Sequence, residues 1–150
     1  MKFSVELVKD LLGKARAENK DPDFSKQNLS TLGLAGEDFS NANLEKTRLA
    51  QVNLRDANLS NANLTGADLS EAMLYGAILK NANLQGAYLF QAKLREADLE
   101  GADLRNATLN GADLYDANLL GTDLTKARYN DSTKWPVGFD PAAAGAIGSI

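Results

Sequence analysis

The chain has 150 residues, a net charge of −4, and neither cysteine nor histidine. Without cysteine it has no disulfide and no thiolate metal site, and without histidine it lacks the commonest general base and metal ligand. Basic residues are scattered among acidic ones, so the sequence shows no basic patch of the kind that neutralises nucleic-acid phosphates. The composition therefore argues against a disulfide scaffold, a metalloenzyme and a nucleic-acid binder, and it predicts no cofactor and no metal.

The first predicted element is an amphipathic helix over residues 4–17. Apolar residues recur there near helical spacing, and Ser4 is placed to cap the start. Glu6, Lys9 and Asp10 interrupt the apolar run, so the segment lacks the core of a signal peptide, and nothing is long enough to span a bilayer. We expect the helix to cover the end of the next element. The alternative is that its apolar face binds a partner or a membrane. The protein as a whole is expected to be cytoplasmic and not attached to a membrane.

A five-residue period follows the helix. From Phe24 to Tyr129 every fifth residue is a large apolar side chain, which makes twenty-two consecutive units. The residue two positions earlier is nearly always Ala from Ala42 to Ala127, and the residue just before is usually Asn or Asp. A period of five keeps side chains together neither on an α-helix nor on a straight strand. All of these leucines can point inward only if the backbone turns once per unit, which predicts a solenoid coiled around them.

The residue two positions after each central residue is predicted to form the turn. Gly and Asn, which accept the positive φ of a type II turn, are frequent at this position. They are Gly36, Gly66, Gly76, Gly86, Gly101, Gly111, Gly121, Asn41, Asn61, Asn81 and Asn106. The alanines agree with this arrangement, because a narrow tube has room beside a leucine for little more than a methyl group.

The repeated A(N/D)LXX pattern, as in ANLSN, ANLTG, ADLSE and ADLYD, resembles the pentapeptide repeat proteins over about residues 22–131. The ending YNDSTKWPVGFDPAAAG is also similar to that of cyanobacterial members. The resemblance implies an all-β fold, a right-handed quadrilateral parallel β-helix with four units per coil, here with an N-terminal capping α-helix. The number of sides comes from the family and not from the spacing.

The predicted organisation has three parts: a capping helix and linker over residues 1–21, the β-helix over residues 22–131, and a C-terminal cap or tail over residues 132–150. In the last part Trp135, Pro136, Phe139 and the PAAAGA segment are expected to close the final coil. An open coil would expose unpaired backbone and apolar side chains. Either end could instead form a dimer contact, so the sequence allows a monomer or an end-to-end dimer.

With four units per coil, residues twenty apart stack, and one face alternates basic and phenolic side chains just after its central leucines. These residues are Arg55, Tyr75, Arg95 and Tyr115. We expect stacked cation–π contacts there, with the arginines held by Asp56, Glu96 and Asp116. The alternation either stiffens the surface of the rod or forms part of a docking strip, because Tyr and Arg are common at binding hot spots.

Residues 71–80, EAMLYGAILK, place Met73 and Ile78 where Asn or Asp usually stands. With Tyr75, Tyr88 and Phe90 they are predicted to form one solvent-facing apolar neighbourhood at mid-rod. Such patches mark interaction surfaces, although the same residues could simply improve pairing between stacked strands. The predicted interaction surface has eight members: Met73, Tyr75, Ile78, Tyr88, Phe90, Arg55, Arg95 and Tyr115.

Three classes of function can be compared. Catalysis is disfavoured, because there is no His or Cys and the glycines fall on the repeat, where the turns need them. DNA mimicry, which the resemblance implies through family members that protect DNA gyrase, needs a dense anionic surface, and Arg and Lys residues interrupt it here. A rigid interaction or scaffold module with an unidentified protein partner therefore fits best. A regulatory role in a cyanobacterium is a further implication of the resemblance.

Overall fold

The computed structural model describes residues 1–149, in which one helix leads into a column of stacked coils. Helix α1 spans Val5–Ala17, and two short strands, β1 Arg128–Tyr129 and β2 Ile147–Gly148, lie near the C-terminus. In between, parallel bridges join residues twenty apart, from Asp23 with Asn43 to Thr108 with Arg128. Each coil therefore consists of four five-residue units, and the solenoid is a quadrilateral parallel β-helix. Within residues 1–149 no helix is long and apolar enough to cross a membrane.

The four faces are numbered here in chain order within a coil. Face 1 contains the bridges that begin at Asp23, face 2 those that begin at Asn28, face 3 those that begin at Gly33, and face 4 those that begin at Asp38. Faces 1 and 3 are opposite each other, as are faces 2 and 4. Two residues ten apart in the sequence thus lie on opposite sides of the column.

The side chains predicted to point inward are buried. Every central residue from Phe24 to Leu114 is at most 1% exposed, and so is every alanine at the preceding inward position from Ala42 to Ala112. Thr47 replaces one of these alanines, and its buried hydroxyl donates to the Phe24 carbonyl at 2.9 Å, so it leaves no unpaired polar group. Each coil therefore contributes four central side chains, mostly leucines, to the core, with methyl groups beside them.

The turns have the predicted left-handed backbone. Asn61 has φ 59° and Gly86 has φ 67°, and the other turn residues of the repeat from Lys26 to Lys126 have similar angles. Each turn is closed by an amide that donates to the preceding central carbonyl, as when the Ala62 N–H donates to the Leu59 oxygen at 3.1 Å. Gly and Asn recur at this position because they adopt positive φ at little steric cost.

We expect Asn61→Val to lower the free energy of unfolding by about 1–2 kcal/mol, because a β-branched residue is strained in the left-handed region. Asn61→Gly should change it by less than about 1 kcal/mol, since glycine is unstrained there. Urea unfolding followed by circular dichroism measures both variants. Equal losses for the two would contradict the importance of the backbone angle at this turn.

Helix α1 covers the N-terminal end of the column. It begins after Ser4, whose Oγ accepts a hydrogen bond from the Leu7 N–H at 3.1 Å, as the sequence predicts. Val8 and Leu12 on its inner face are buried in the same apolar core as the first coils. The apolar end of the first coil is therefore closed by the helix.

Two polar contacts hold the helix to face 4 and to Glu37, which comes just before this face in the chain. Arg16 Nη2 donates to the Ser40 carbonyl at 2.6 Å, and Lys9 Nζ lies 3.4 Å from Glu37 Oε1. Glu37 occupies an inward position that is usually Ala, and it is only partly buried, so the ion pair satisfies its charge at the edge of the core. These contacts fix the orientation of the helix on the coil.

Aromatic side chains pack on the core at the C-terminal end. The Trp135 ring lies edge-on to Tyr129 at 5.5 Å and is stacked on Phe139 at 5.3 Å. Pairing also continues past the last repeat, because Lys134 bridges to Asp113 and Ile147 lies opposite Arg128 in the β1–β2 pair. The predicted cap therefore adds further rungs to the column. Ile150, its last residue, lies outside the described residues.

Candidate interaction surface

Each face presents two columns of outward side chains, one just before and one just after the buried central residues. On face 3 the first column contains Gly33, Asn53, Met73, Lys93 and Asp113. The second column contains Ala35, Arg55, Tyr75, Arg95 and Tyr115. Face 3 therefore carries arginine, lysine, tyrosine and methionine at outward positions where the repeat often has small polar residues.

The arginines and tyrosines of face 3 form two stacked pairs. Arg55 Cζ lies 4.6 Å from the centre of the Tyr75 ring, and Arg95 Cζ lies 5.1 Å from that of Tyr115. The cation–π contacts predicted from twenty-residue stacking are thus confirmed. Each contributes about 0.5–1 kcal/mol at an exposed site, and each restricts the rotamers of the two side chains that form it.

Arg95 is held by a carboxylate that the sequence did not indicate. Its Nε donates to Asp113 Oδ2 at 2.6 Å. The expectation that Asp56, Glu96 and Asp116 hold the arginines is wrong, because no ion pair within 4.0 Å joins these residues to an arginine in the described part of the chain. They are turn residues instead, stacked on the turn of the next coil. The Asp56 carboxylate, for example, lies against Gly76.

The environment of Asp113 lowers the pKa of its carboxyl group. Burial alone would raise the pKa, but hydrogen bonds from Arg95 and the Tyr115 amide, together with the charges of Arg95 and Lys134, outweigh it. The same hydrogen bond and charge from Asp113 raise the pKa of Arg95. Asp113 is therefore ionised in the folded protein, and it fixes the position of the guanidinium on face 3.

Stability should fall in acid partly because of Asp113. Its pKa is lower in the folded than in the unfolded chain, so the stabilisation is present above the unfolded value, about 4, and is lost as the pH falls through the folded value. Asp113→Asn should lower the unfolding free energy at neutral pH by about 1 kcal/mol, a small amount because Arg95 is half exposed and solvent weakens the ion pair. Below pH about 4 this variant should lose less stability than wild type. Thermal melts across pH test this, with Asp116→Asn as the charge-matched control. Parallel pH profiles for wild type and Asp113→Asn would contradict it.

The structure does not gather the apolar residues into one neighbourhood, so that prediction is wrong. Tyr88 bridges to Asp68 on face 2, whereas Ile78 bridges to Asn58 on face 4, on the opposite side of the column. Tyr88 is 54% exposed, Phe90 44% and Ile78 40%, so all three are accessible but not to one flat partner. Ten residues make half a coil, so Tyr88 and Ile78 lie on opposite faces although they are close in the sequence.

A smaller group of the predicted residues does lie together. Phe90 is in the second column of face 2, which adjoins the first column of face 3, with Met73, across one corner. Met73 and Tyr75 are partly buried between their neighbours in adjacent coils. We call this group the face-3 surface; it consists of Arg55, Met73, Tyr75, Phe90, Arg95 and Tyr115.

A second exposed apolar area, at the C-terminal end, was missed by the sequence interpretation. Leu120 is 70% exposed and Val137 is 87% exposed, and they flank an open groove of about 360 Å³ with Leu119 and Phe139. The available signal was Leu120 itself, which stands at an outward position where this repeat usually has a polar residue. This area lies at one end of the column, away from the face-3 surface.

Known proteins share both the repeat and the column. The family described as pentapeptide repeats matches in eight copies, over residues 38–74, 53–89 and 92–128. The crystal structure of a pentapeptide repeat protein from Nostoc Pcc 7120 is 42% identical, with a TM-score of 0.62, and the match covers 75% of this chain and 85% of that one. A pentapeptide repeat protein from the Arabidopsis thaliana thylakoid lumen is 33% identical, with a TM-score of 0.62, over 63% of this chain and 66% of that one.

A more distant match is the plasmid-mediated fluoroquinolone resistance protein QnrB1. It is 15% identical, with a TM-score of 0.44, over 86% of this chain and 80% of that one. Among curated proteins no match is found. These similarities identify the architecture of the chain, and its function depends on the side chains on the outside of the column.

Proposed function

Since the chain belongs to the pentapeptide repeat family, whose solved members are right-handed β-helices, we propose that it is a rigid, non-enzymatic module that binds a protein partner through the outside of its column. The observation that carries the proposal is the face-3 surface. It replaces the small polar exterior of the repeat with arginine, aromatic and methionine side chains. Tyrosine and arginine at such a surface are the residues that most often dominate binding energy.

The face-3 surface is also arranged before any partner arrives. Stacking fixes Arg55 on Tyr75 and Arg95 on Tyr115, and Asp113 holds Arg95 from the other side. Less side-chain freedom is then lost on docking, which favours affinity. The backbone below is a hydrogen-bonded coil, so the spacing between these groups does not change on binding.

The charges of the face-3 surface indicate the chemistry of the partner. Arg55, and Lys93 next to Met73 in the first column of face 3, have no carboxylate within 4.0 Å among residues 1–149, whereas Arg95 is neutralised by Asp113. Phe90 and Tyr115 add exposed aromatic area beside them. A matching partner surface is apolar at its centre and carries a carboxylate opposite Arg55.

The test is a partner-capture experiment with matched surface variants. The face-3 variant carries Met73→Glu, Tyr75→Ala and Phe90→Ala, and the control carries Asn63→Glu, Thr65→Ala and Gln85→Ala on face 1, the opposite side. For a partner captured by wild type and then purified, we expect the face-3 variant to weaken the affinity at least about tenfold and the control to leave it within about twofold. Equal affinities for the two variants, with unchanged circular dichroism, would reject the surface.

Mimicry of DNA to act on DNA gyrase is the alternative function, and no observation favours it. A mimic needs continuous negative charge, and face 3 of the column carries Arg55, Lys93 and Arg95. A supercoiling assay with purified gyrase should show neither inhibition nor protection from a quinolone. Inhibition at low protein concentration would make this alternative the better one.

A cytoplasmic location belongs to the same proposal. It agrees with helix α1, whose charged residues Glu6, Lys9 and Asp10 show that this helix is not itself a signal sequence. Fractionation of the native cells, with an antibody against the protein, should recover it with cytoplasmic markers. Recovery with a membrane or lumenal fraction would overturn this part of the proposal.

A further inference from the structure

Basic residues that are far apart in the sequence lie together on one corner of the column. Every lysine at a turn position of the repeat lies on the corner between faces 1 and 2, and none of the other three corners carries a basic turn residue. From the N-terminal to the C-terminal coil, the turn residues of this corner are Lys26, Lys46, Gly66, Gly86, Asn106 and Lys126. The corner diagonally across instead carries Asp56, Glu96 and Asp116.

The adjoining column of face 2 adds arginine at the same two levels. Arg48 lies beside Lys46, and Arg128 lies beside Lys126. The two basic pairs are four coils apart, which at the usual spacing of strands is about 19 Å. Between them face 2 presents Asp68, Tyr88 and Thr108, so the positive charge is concentrated at two ends and absent from the middle.

These four cations are available to a ligand. Lys46, Arg48, Lys126 and Arg128 are exposed, and none has a carboxylate oxygen within 4.0 Å in the part of the chain that the structure describes. Arg105 on face 1 differs, because Asp103 lies 2.6 Å and Asp123 3.8 Å from its guanidinium nitrogens. The column therefore neutralises Arg105 internally and leaves the two pairs on the corner without partners.

A groove runs along this corner from its middle to the C-terminal basic pair. It has a volume of about 460 Å³ and is lined by Tyr88, Asn106, Thr108, Lys126 and Arg128, with Gly86 and Ile147. A Cβ atom at Gly86 would meet nothing within 4 Å, so the absence of a side chain there leaves open space. Tyr88, which is 54% exposed, forms an apolar wall.

We propose that this corner, the basic edge, binds an extended acidic segment of a partner protein. Carboxylates at one end of the segment contact Lys46 and Arg48, those at the other end contact Lys126 and Arg128, and an apolar side chain between them packs on Tyr88. A gap of about 19 Å corresponds to about six residues of extended chain. A nucleic acid fits less well, because its phosphates are continuous and would meet Asp68 between the two basic pairs.

The probe is a fluorescein-labelled synthetic peptide, Glu-Glu-Gly-Ser-Leu-Ser-Gly-Glu-Glu, whose affinity for the full chain is measured by anisotropy at low salt. We expect saturable binding that Lys46→Glu with Arg48→Glu, or Lys126→Glu with Arg128→Glu, weakens at least about tenfold. Lys2→Glu with Lys14→Glu makes the same change in net charge elsewhere and should weaken it less than about twofold. A peptide with Gln in place of Glu should not bind.

The apolar contact is tested separately. A Gly in place of the peptide Leu should weaken binding, and so should the substitution Tyr88→Ala. The two changes together should weaken it no more than either change alone. Circular dichroism establishes that every variant is folded. Equal losses in the control and the edge variants, or unchanged binding in the edge variants, would overturn the proposal. So would tighter binding of a single-stranded oligonucleotide of equal charge.

Discussion

Leu84→Ala is expected to lower the free energy of unfolding by about 3–5 kcal/mol, at the high end of the range for a buried leucine. Leu84 is fully buried at mid-column on face 1. The coils around it cannot move together to fill the space, because each is fixed to its neighbours by main-chain hydrogen bonds. The Leu84 N–H donates to the Asp103 carbonyl at 2.7 Å, and the Asn83 N–H donates to the Ala62 carbonyl at 2.9 Å.

The measurement for Leu84→Ala is urea unfolding followed by far-ultraviolet circular dichroism. Gln85→Ala is the matched control, because it truncates the next, outward residue and should cost less than about 0.5 kcal/mol. Similar losses for the two variants would mean that the buried central leucines are not the main source of stability. A larger loss for Gln85→Ala would contradict the inward assignment itself.

Val8→Asp is expected to have the second large effect, a loss of at least about 3 kcal/mol and a tendency to associate. Val8 is completely buried on the inner face of helix α1, and a carboxylate placed there has no partner. The helix would separate from the coil and expose Phe24 and Phe39, which are each 1% exposed in the intact protein. An uncovered coil end also presents backbone groups that pair with another chain.

Gly13→Asp is the control for Val8→Asp. It places the same residue on the exposed side of the same helix, where a new Cβ atom meets nothing within 4 Å. Thermal unfolding and size-exclusion chromatography should show a lower melting temperature and larger species for Val8→Asp only. A monomeric Val8→Asp protein with an unchanged melting temperature would show that the helix does not close the column.

The inner half of the fold can be predicted from the sequence, because burial leaves a simple pattern. A leucine at every fifth position and an alanine two residues earlier can all be buried only in a coil that turns once per unit. The number of sides cannot be predicted in this way, since the angle of each corner depends on the backbone around residues such as Asn61 and not on apolar spacing. It came from the resemblance to the pentapeptide repeat family.

The outer surface can be predicted less completely, because its contacts do not all follow the columns. Arg55 and Tyr75 are twenty residues apart and stack directly, so the pair could be anticipated. Arg95 and Asp113 are eighteen residues apart and join the second column of one coil to the first column of the next. Such diagonal contacts depend on rotamers, and the repeat pattern contains no signal for them.

The C-terminal end differs from prediction because the repeat shifts by one residue. Thr133 takes the inward place that the period assigns to Ser132, and its hydroxyl donates to the Leu109 carbonyl at 2.9 Å. Lys134 then continues the face-3 bridges. A shift of this kind is invisible in a pattern that assumes equal units, and it explains why the predicted cap partly continues the column.

Cysteine cross-linking tests the central claim, that four five-residue units make one coil, and the absence of native cysteine makes it direct. Ser60 and Lys80 are twenty residues apart on face 4, at the spacing of adjacent coils, about 4.7–4.9 Å, which suits a disulfide. Ser60 and Ser70 are only ten apart but lie on opposite faces. We expect Ser60→Cys with Lys80→Cys to form an intramolecular disulfide under mild oxidation, and Ser60→Cys with Ser70→Cys to form none. The reverse outcome, read by mass spectrometry of the digested monomer, would contradict the quadrilateral column.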